Sequence, residues 1–142
     1  MVRQRYWRSI AGDAALAIAI AAILTIGWCW RDWPLLSQRH LPETDDVMRL
    51  QQIRDWLAGQ DFRDLSQHRL GPNGLLMHWS RLPDLVPGAI IAQLTPMVGQ
   101  ARAELAAVIL WPGLLFAAAL LLIGRIARAI DPAIARTAII VA

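Results

Sequence analysis

Asp45 and Asp46 stand side by side at the head of residues 45–58, where apolar side chains recur at helical spacing. Adjacent carboxylates can offer oxygen ligands to Mg²⁺ or Mn²⁺, with water or phosphate completing the shell. A carboxylate can also act as a general base toward a nucleophile. In the first turn of a helix, however, the same two residues simply interact favourably with exposed amides and the helix dipole, at about 0.3–1 kcal/mol each. Both readings, catalytic and capping, stay open on spacing alone.

The other reactive side chains are less suggestive. Arg54 and Asp55 are neighbours on the same helical stretch, so they do not face each other and read as a solvated polar face, or as one packed against a further domain. His78, Ser80 and Asp84 contain the residue types of a hydrolytic triad, but their spacing orients nothing, and they read as loop residues that place Trp79 at an interface. His40, His68 and His78 lack the spacing of a zinc site. The single Cys29 excludes an internal disulfide.

The elements that must position these residues are dominated by two uncharged apolar runs. Residues 14–30, interrupted only by Thr25 and Gly27, reach about 26 Å as a helix, and residues 105–124 reach about 30 Å. In a bilayer both must be helical, since backbone polar groups can bond only within the segment. Trp28, Trp30 and Trp33 crowd the end of the first run as an aromatic belt would, and Pro112 is expected to kink the second. A cleaved signal peptide is the rival for the first run, but bulky Trp28, Cys29 and Trp30 follow where a small-residue cleavage site is needed.

Between the runs, residues 31–104 form a long loop. A connector over residues 31–43 contains Pro34 and Pro42. The helix over 45–58 carries Val47, Leu50, Ile53 and Leu57 on its apolar face and Gln51, Gln52, Arg54 and Asp55 opposite, with Thr44 as N-cap and Gly59 as stop. Gly71-Pro72-Asn73-Gly74 predicts a turn. Residues 86–98 are apolar but too short to span, and read as an interfacial or re-entrant helix.

Arg3, Arg5 and Arg8 precede the first span, and Arg125 and Arg128 follow the second. That pattern places residues 1–13 and 125–142 in the cytoplasm and the loop on the outer face. The formal net charge of +3 is thus largely an orientation signal. Basic and acidic residues alternate through the loop without a basic stripe, so nucleic acid is not an expected partner. Asp131-Pro132 predicts a helix start, and the apolar run that follows reads as the beginning of a third span, which makes further spans of a larger protein the expected partner.

The residues from Thr44 through Asp45, Asp46, Arg54 and Asp55 to Gly59 resemble the first outer loop of polytopic glycosyltransferases of the GT-C class. They are most similar to catalytic subunits of bacterial and archaeal oligosaccharyltransferases. In that family an essential aspartate follows the first span and opens a helix, and an Arg-Asp pair comes later on it. Asp45 matches the aspartate, with Asp46 as second choice, and Arg54-Asp55 match the pair. Met77-His78-Trp79-Ser80-Arg81-Leu82-Pro83-Asp84 is similar to the family's His-Trp-Pro-Pro type segment. Val47 and Met48 replace the aromatic residues usual after the family aspartate.

The resemblance implies the N-terminal part of an enzyme of a bacterial inner membrane, inactive alone, that uses a lipid-phosphate-linked sugar donor. A divalent cation on Asp45 would stabilise the departing phosphate. The expected fold is an all-α membrane protein with two transmembrane helices, an amphipathic helix in the outer loop and a truncated third span. The alternative is a small membrane hairpin whose outer loop binds a partner or the membrane surface.

Overall fold

The computed structural model describes residues 2–38, 40–41 and 43–142, with side chains from Ile10 onward. Pro42 and the side chains of Arg3, Arg5 and Arg8 lie outside the described residues. Five helices follow one another among those described: α1 (Val2–Ser37), α2 (Thr44–Leu57), α3 (Leu85–Val98), α4 (Gln100–Ile130) and α5 (Ala135–Val141). Between α2 and α3 lie the two-residue strands β1 (Ser66–Gln67) and β2 (Leu75–Leu76), then a 3₁₀ turn at Leu82–Asp84. The fold is all-α, as the hydrophobic pattern predicts.

Ile10–Ser37 and Gln100–Ile130 are long and apolar enough to cross a membrane. Only 17% and 11% of their most apolar windows are buried within the protein, unlike the core helix of a soluble domain. Both helices outrun the apolar stretches expected at 14–30 and 105–124. α1 continues through Pro34, which the sequence places in a connector, and carries Leu36 into a fully buried position. α4 likewise remains helical through Pro112.

The chain divides into two compact units. In the unit formed by Met1–Asp32 and Ile109–Ala142, Ala17, Leu120 and Ile139 make the core, flanked by Leu16, Ile20, Phe116 and Leu121. Small residues allow close approach here: a Cβ on Gly113 would stand 2.8 Å from Thr25 Oγ1. Asp13 is buried and accepts hydrogen bonds from the Arg128 guanidinium, with Arg136 Nε at 3.5 Å. The Asp131-Pro132 expectation is corrected: α5 starts only at Ala135, because Asp131 Oδ1 accepts the Ala133 amide at 2.9 Å and holds a turn before the helix.

The second unit, Trp33–Val108, contains the loop elements. Its core is Ile53 of α2, Ile91 of α3, and Ala103 and Ala107 of α4, with Leu50, Ile90 and Leu94 packed against them. α2 begins one residue earlier than expected. Glu43, in extended conformation, is the N-cap without a side-chain capping bond, and Thr44 is the first helical residue. Its end is as expected: Gly59 takes φ +112°, a value that disfavours a side chain, and its amide bonds the Trp56 carbonyl. The 71–74 turn joins β1 to β2, which pair antiparallel with Ser66 opposite Leu76, a small hairpin not expected in an all-α loop. α3 matches the apolar stretch at 86–98 to within a residue.

Gly88 on α3 lets Trp56 of α2 approach closely: a Cβ there would sit 2.5 Å from Trp56 Cζ3. Gly88→Ala is therefore expected to destabilise the loop unit by about 1–3 kcal/mol through overpacking. Thermal unfolding followed by tryptophan fluorescence checks this, and an unchanged midpoint would refute the close approach.

Candidate functional site

α2 carries Asp45, Asp46, Arg54 and Asp55, and Trp79 and Asp84 bond to its side chains. Its first turn presents Asp45 and Asp46. Both are exposed, and neither has a side-chain hydrogen bond or ion pair among the described residues. This distinguishes them from Asp55, Asp64, Asp84 and Glu104, each tied to a basic partner within the loop unit. No group of three His, Cys, Asp or Glu side chains suited to a metal occurs among the described residues. Any cation at Asp45 would therefore draw ligands from outside this set.

The far end of α2 is held by a charged network, which corrects the solvated-face reading of Arg54 and Asp55. The Arg54 guanidinium makes a two-pronged bond to Glu104, with Nε and Nη2 each donating at 2.7 Å. Gln100 Nε2 donates to the same carboxylate at 2.9 Å. Glu104 is buried, with 3% of its side chain exposed, and its hydrogen bond raises the Arg54 pKa above the usual guanidinium value. Adjacent residues on a helix point about 100° apart. Asp55 accordingly turns to other partners, accepting from Gln51 and Arg69 at 2.8 Å and from Gln67 at 3.3 Å. Burial alone would raise the Asp55 pKa; the bonds from Arg69, Gln51 and Gln67 outweigh it and leave the group below the usual carboxylate range.

The segment around His78 packs on the middle of α2. Trp79 Nε1 donates to Gln52 Oε1 at 2.6 Å, and the Arg49 guanidinium lies 5.1 Å from the Trp79 ring centre. This bond explains why Gln52, expected on the polar face, is buried, while Val47 and Leu57 of the expected apolar face are exposed. Trp79 is thus half-buried against the helix. Arg49 Nη1 donates to Asp84 Oδ1 at 2.9 Å. Burial pushes the Asp84 carboxyl up despite that guanidinium. His78 is exposed and tilted against Trp79, and Ser80 Oγ accepts the Leu82 amide, so the three do not form a triad.

Sequence reasoning missed Arg49, Gln52, Arg81 and Glu104. Arg81 is buried and donates to the Asp64 carbonyl. The Asp64 carboxyl in turn is held far below its usual range, first by His68 and then by the Ser66 amide. Glu104 did carry a signal: it is a charge at the very edge of an apolar run, where an ionisable residue calls for a partner.

Two open cavities lie beside α2 within this unit. A polar cleft of about 550 Å³ is lined by Gln51, Arg54, Asp55, Arg69, Gln100 and Glu104. An apolar groove of about 340 Å³ runs along Leu57, Ile91, Ala92 and Pro96, and shares Arg54, Ala58 and Gln100 with the cleft. The chain matches no protein-family model, no curated protein and no solved structure.

Proposed function

We propose that this chain supplies the first outer loop and its flanking spans to an integral-membrane glycosyltransferase using a lipid-phosphate-linked sugar donor. The single observation that supports this reading is the exposed Asp45–Asp46 pair, without a partner among the described residues, at the head of a helix whose other charges, Arg49, Arg54 and Asp55, are ion-paired. A carboxylate that is already ion-paired would have to give up its partner to take a cation or a proton. Asp45 and Asp46 need not.

In this reading Asp45 would offer an oxygen to a Mg²⁺ or Mn²⁺ ion, with Asp46 beside it in sequence as a second carboxylate. Such a cation, when bound, would supply charge stabilisation to the departing phosphate. The orientation follows the arginine flanks, with the N-terminus in the cytoplasm of a bacterial cell and the loop on the outer face of the inner membrane.

Membranes containing the full-length protein are expected to move radiolabelled sugar from a polyprenyl-phosphate donor, and EDTA is expected to slow this about tenfold or more until Mg²⁺ or Mn²⁺ is restored. Label that never leaves the donor lipid, above the level of membranes lacking the protein, would defeat the proposal.

A second reading, a membrane hairpin whose loop docks on a partner or on lipid headgroups, is favoured by Leu76, Leu82 and Met97, which are 71%, 65% and 78% exposed. It requires no sugar transfer at all, so the same assay separates the two.

A further inference from the structure

The cleft and groove beside α2 have a chemistry of their own. The cleft holds two guanidinia, Arg54 and Arg69, and two carboxylates, Asp55 and Glu104, already joined at 2.7–2.8 Å. A phosphate entering it would meet two carboxylates and find both arginines engaged. It is therefore a poor anion site despite its basic residues. What it does offer is a dense alternation of donors and acceptors. Arg69 uses only Nη2 on Asp55 and its side chain is 67% exposed, leaving N–H groups beside a carboxylate edge. The amides of Gln51 and Gln100, each donor and acceptor, flank the two ion pairs.

Such alternation suits neighbouring hydroxyl groups, each of which both donates and accepts. The groove adjoins the cleft at Arg54, Ala58 and Gln100, and its remaining lining, Leu57, Ile91, Ala92, Thr95 and Pro96, is mostly aliphatic carbon. One molecule that satisfies both compartments has an uncharged sugar head and a hydrocarbon chain. The flanking helices, long and apolar enough to cross a membrane, supply the setting in which such a molecule is found.

We propose that the two-part cleft is a glycolipid-binding site, with the sugar head on Arg69, Gln51 and Gln100 and the chain along Leu57, Ile91 and Pro96. Its role as the acceptor site rests on the glycosyltransferase reading; the binding itself does not.

The test uses the full chain in phosphatidylcholine nanodiscs carrying tritiated monoglucosyl diacylglycerol. Retention of the label is expected to resist competition by diacylglycerol or phosphatidylglycerol, each at least about tenfold weaker than unlabelled glucosyl lipid. Ala101, exposed on the cleft wall, becomes a steric block in Ala101→Trp, which is expected to weaken retention about tenfold. Ala92→Trp does the same from the exposed rim of the groove and carries the test if the first variant loses its helical circular dichroism.

Equal competition by phosphatidylglycerol, or unchanged retention in both tryptophan variants, overturns the proposal. Asp45→Asn separates the two readings. If it leaves sugar transfer intact, the donor mechanism falls while glycolipid retention still stands or falls by the competition. If it abolishes transfer and the labelled lipid fails to bind, only the cleft assignment is lost.

Discussion

Asp45→Asn in the full-length protein is expected to lower sugar transfer by about a thousandfold or more, with membrane insertion and abundance unchanged. The size follows from the chemistry assigned to the residue. Removing one group that meets developing charge in a transition state costs about 10²–10³ in rate, and losing the cation with it costs more. The asparagine keeps the shape of the side chain, and because Asp45 is exposed and has no partner among the described residues, no buried charge is left behind. The structural cost is confined to the helix dipole, about 0.3–1 kcal/mol. Initial rates in membranes, normalised to immunoblotted protein, provide the measurement. Normal transfer by Asp45→Asn would remove Asp45 from the mechanism, and a complete loss in Asp46→Asn alone would move the assignment one residue along.

Arg54→Ala is expected to act by a different route, costing the loop unit about 3 kcal/mol of stability. That is the lower end of the cost of breaking a buried ion pair, because Arg54 is itself one-third exposed and Gln100 still donates to Glu104. Glu104 keeps only 3% of its side chain in contact with solvent and loses a two-pronged guanidinium. The readout is limited proteolysis of the loop together with tryptophan fluorescence, since Trp56 and Trp79 both pack on α2 or belong to it. Replacing both partners with apolar residues, Arg54→Met with Glu104→Leu, should recover most of the loss, because no buried charge then remains. Transfer per folded molecule should fall less for Arg54→Ala than for Asp45→Asn. A single Arg54→Ala variant as stable as the parent would refute the stabilising role of the ion pair; a larger loss of turnover per folded molecule than in Asp45→Asn would place Arg54 nearer the chemistry.

The contrast between these variants shows how differently the two ends of one helix were legible. The acidic first turn, the helical period and the stop at Gly59 are all written within a few residues of one another, and α2 forms nearly where they predict. The partner of Arg54 is fifty residues away, at the start of an apolar run, and no spacing rule connects them. Gln52 makes the same point in reverse. Helical periodicity places it on the polar face with Gln51, yet the Trp79 indole, arriving from beyond the hairpin, buries it. The Asp131 turn failed as a helix start for a local reason of similar kind: a short side chain before proline can bond the backbone into a turn as readily as it caps a helix.

The two long apolar helices, the all-α class, the helix headed by Asp45 and Asp46, and the turn at 71–74 were all legible in local sequence. Each depends on periodicity, capping or chain stiffness, forces that act within a turn or two of the backbone. Which carboxylates take a basic partner was settled by packing between distant elements. That packing joined Arg54 to Glu104, Arg69 to Asp55 and Arg49 to Asp84, leaving Asp45 and Asp46 without a partner among the described residues. Ion pairing and burial depend on distances through space, and packing of α2 against α3 and the start of α4 sets those distances.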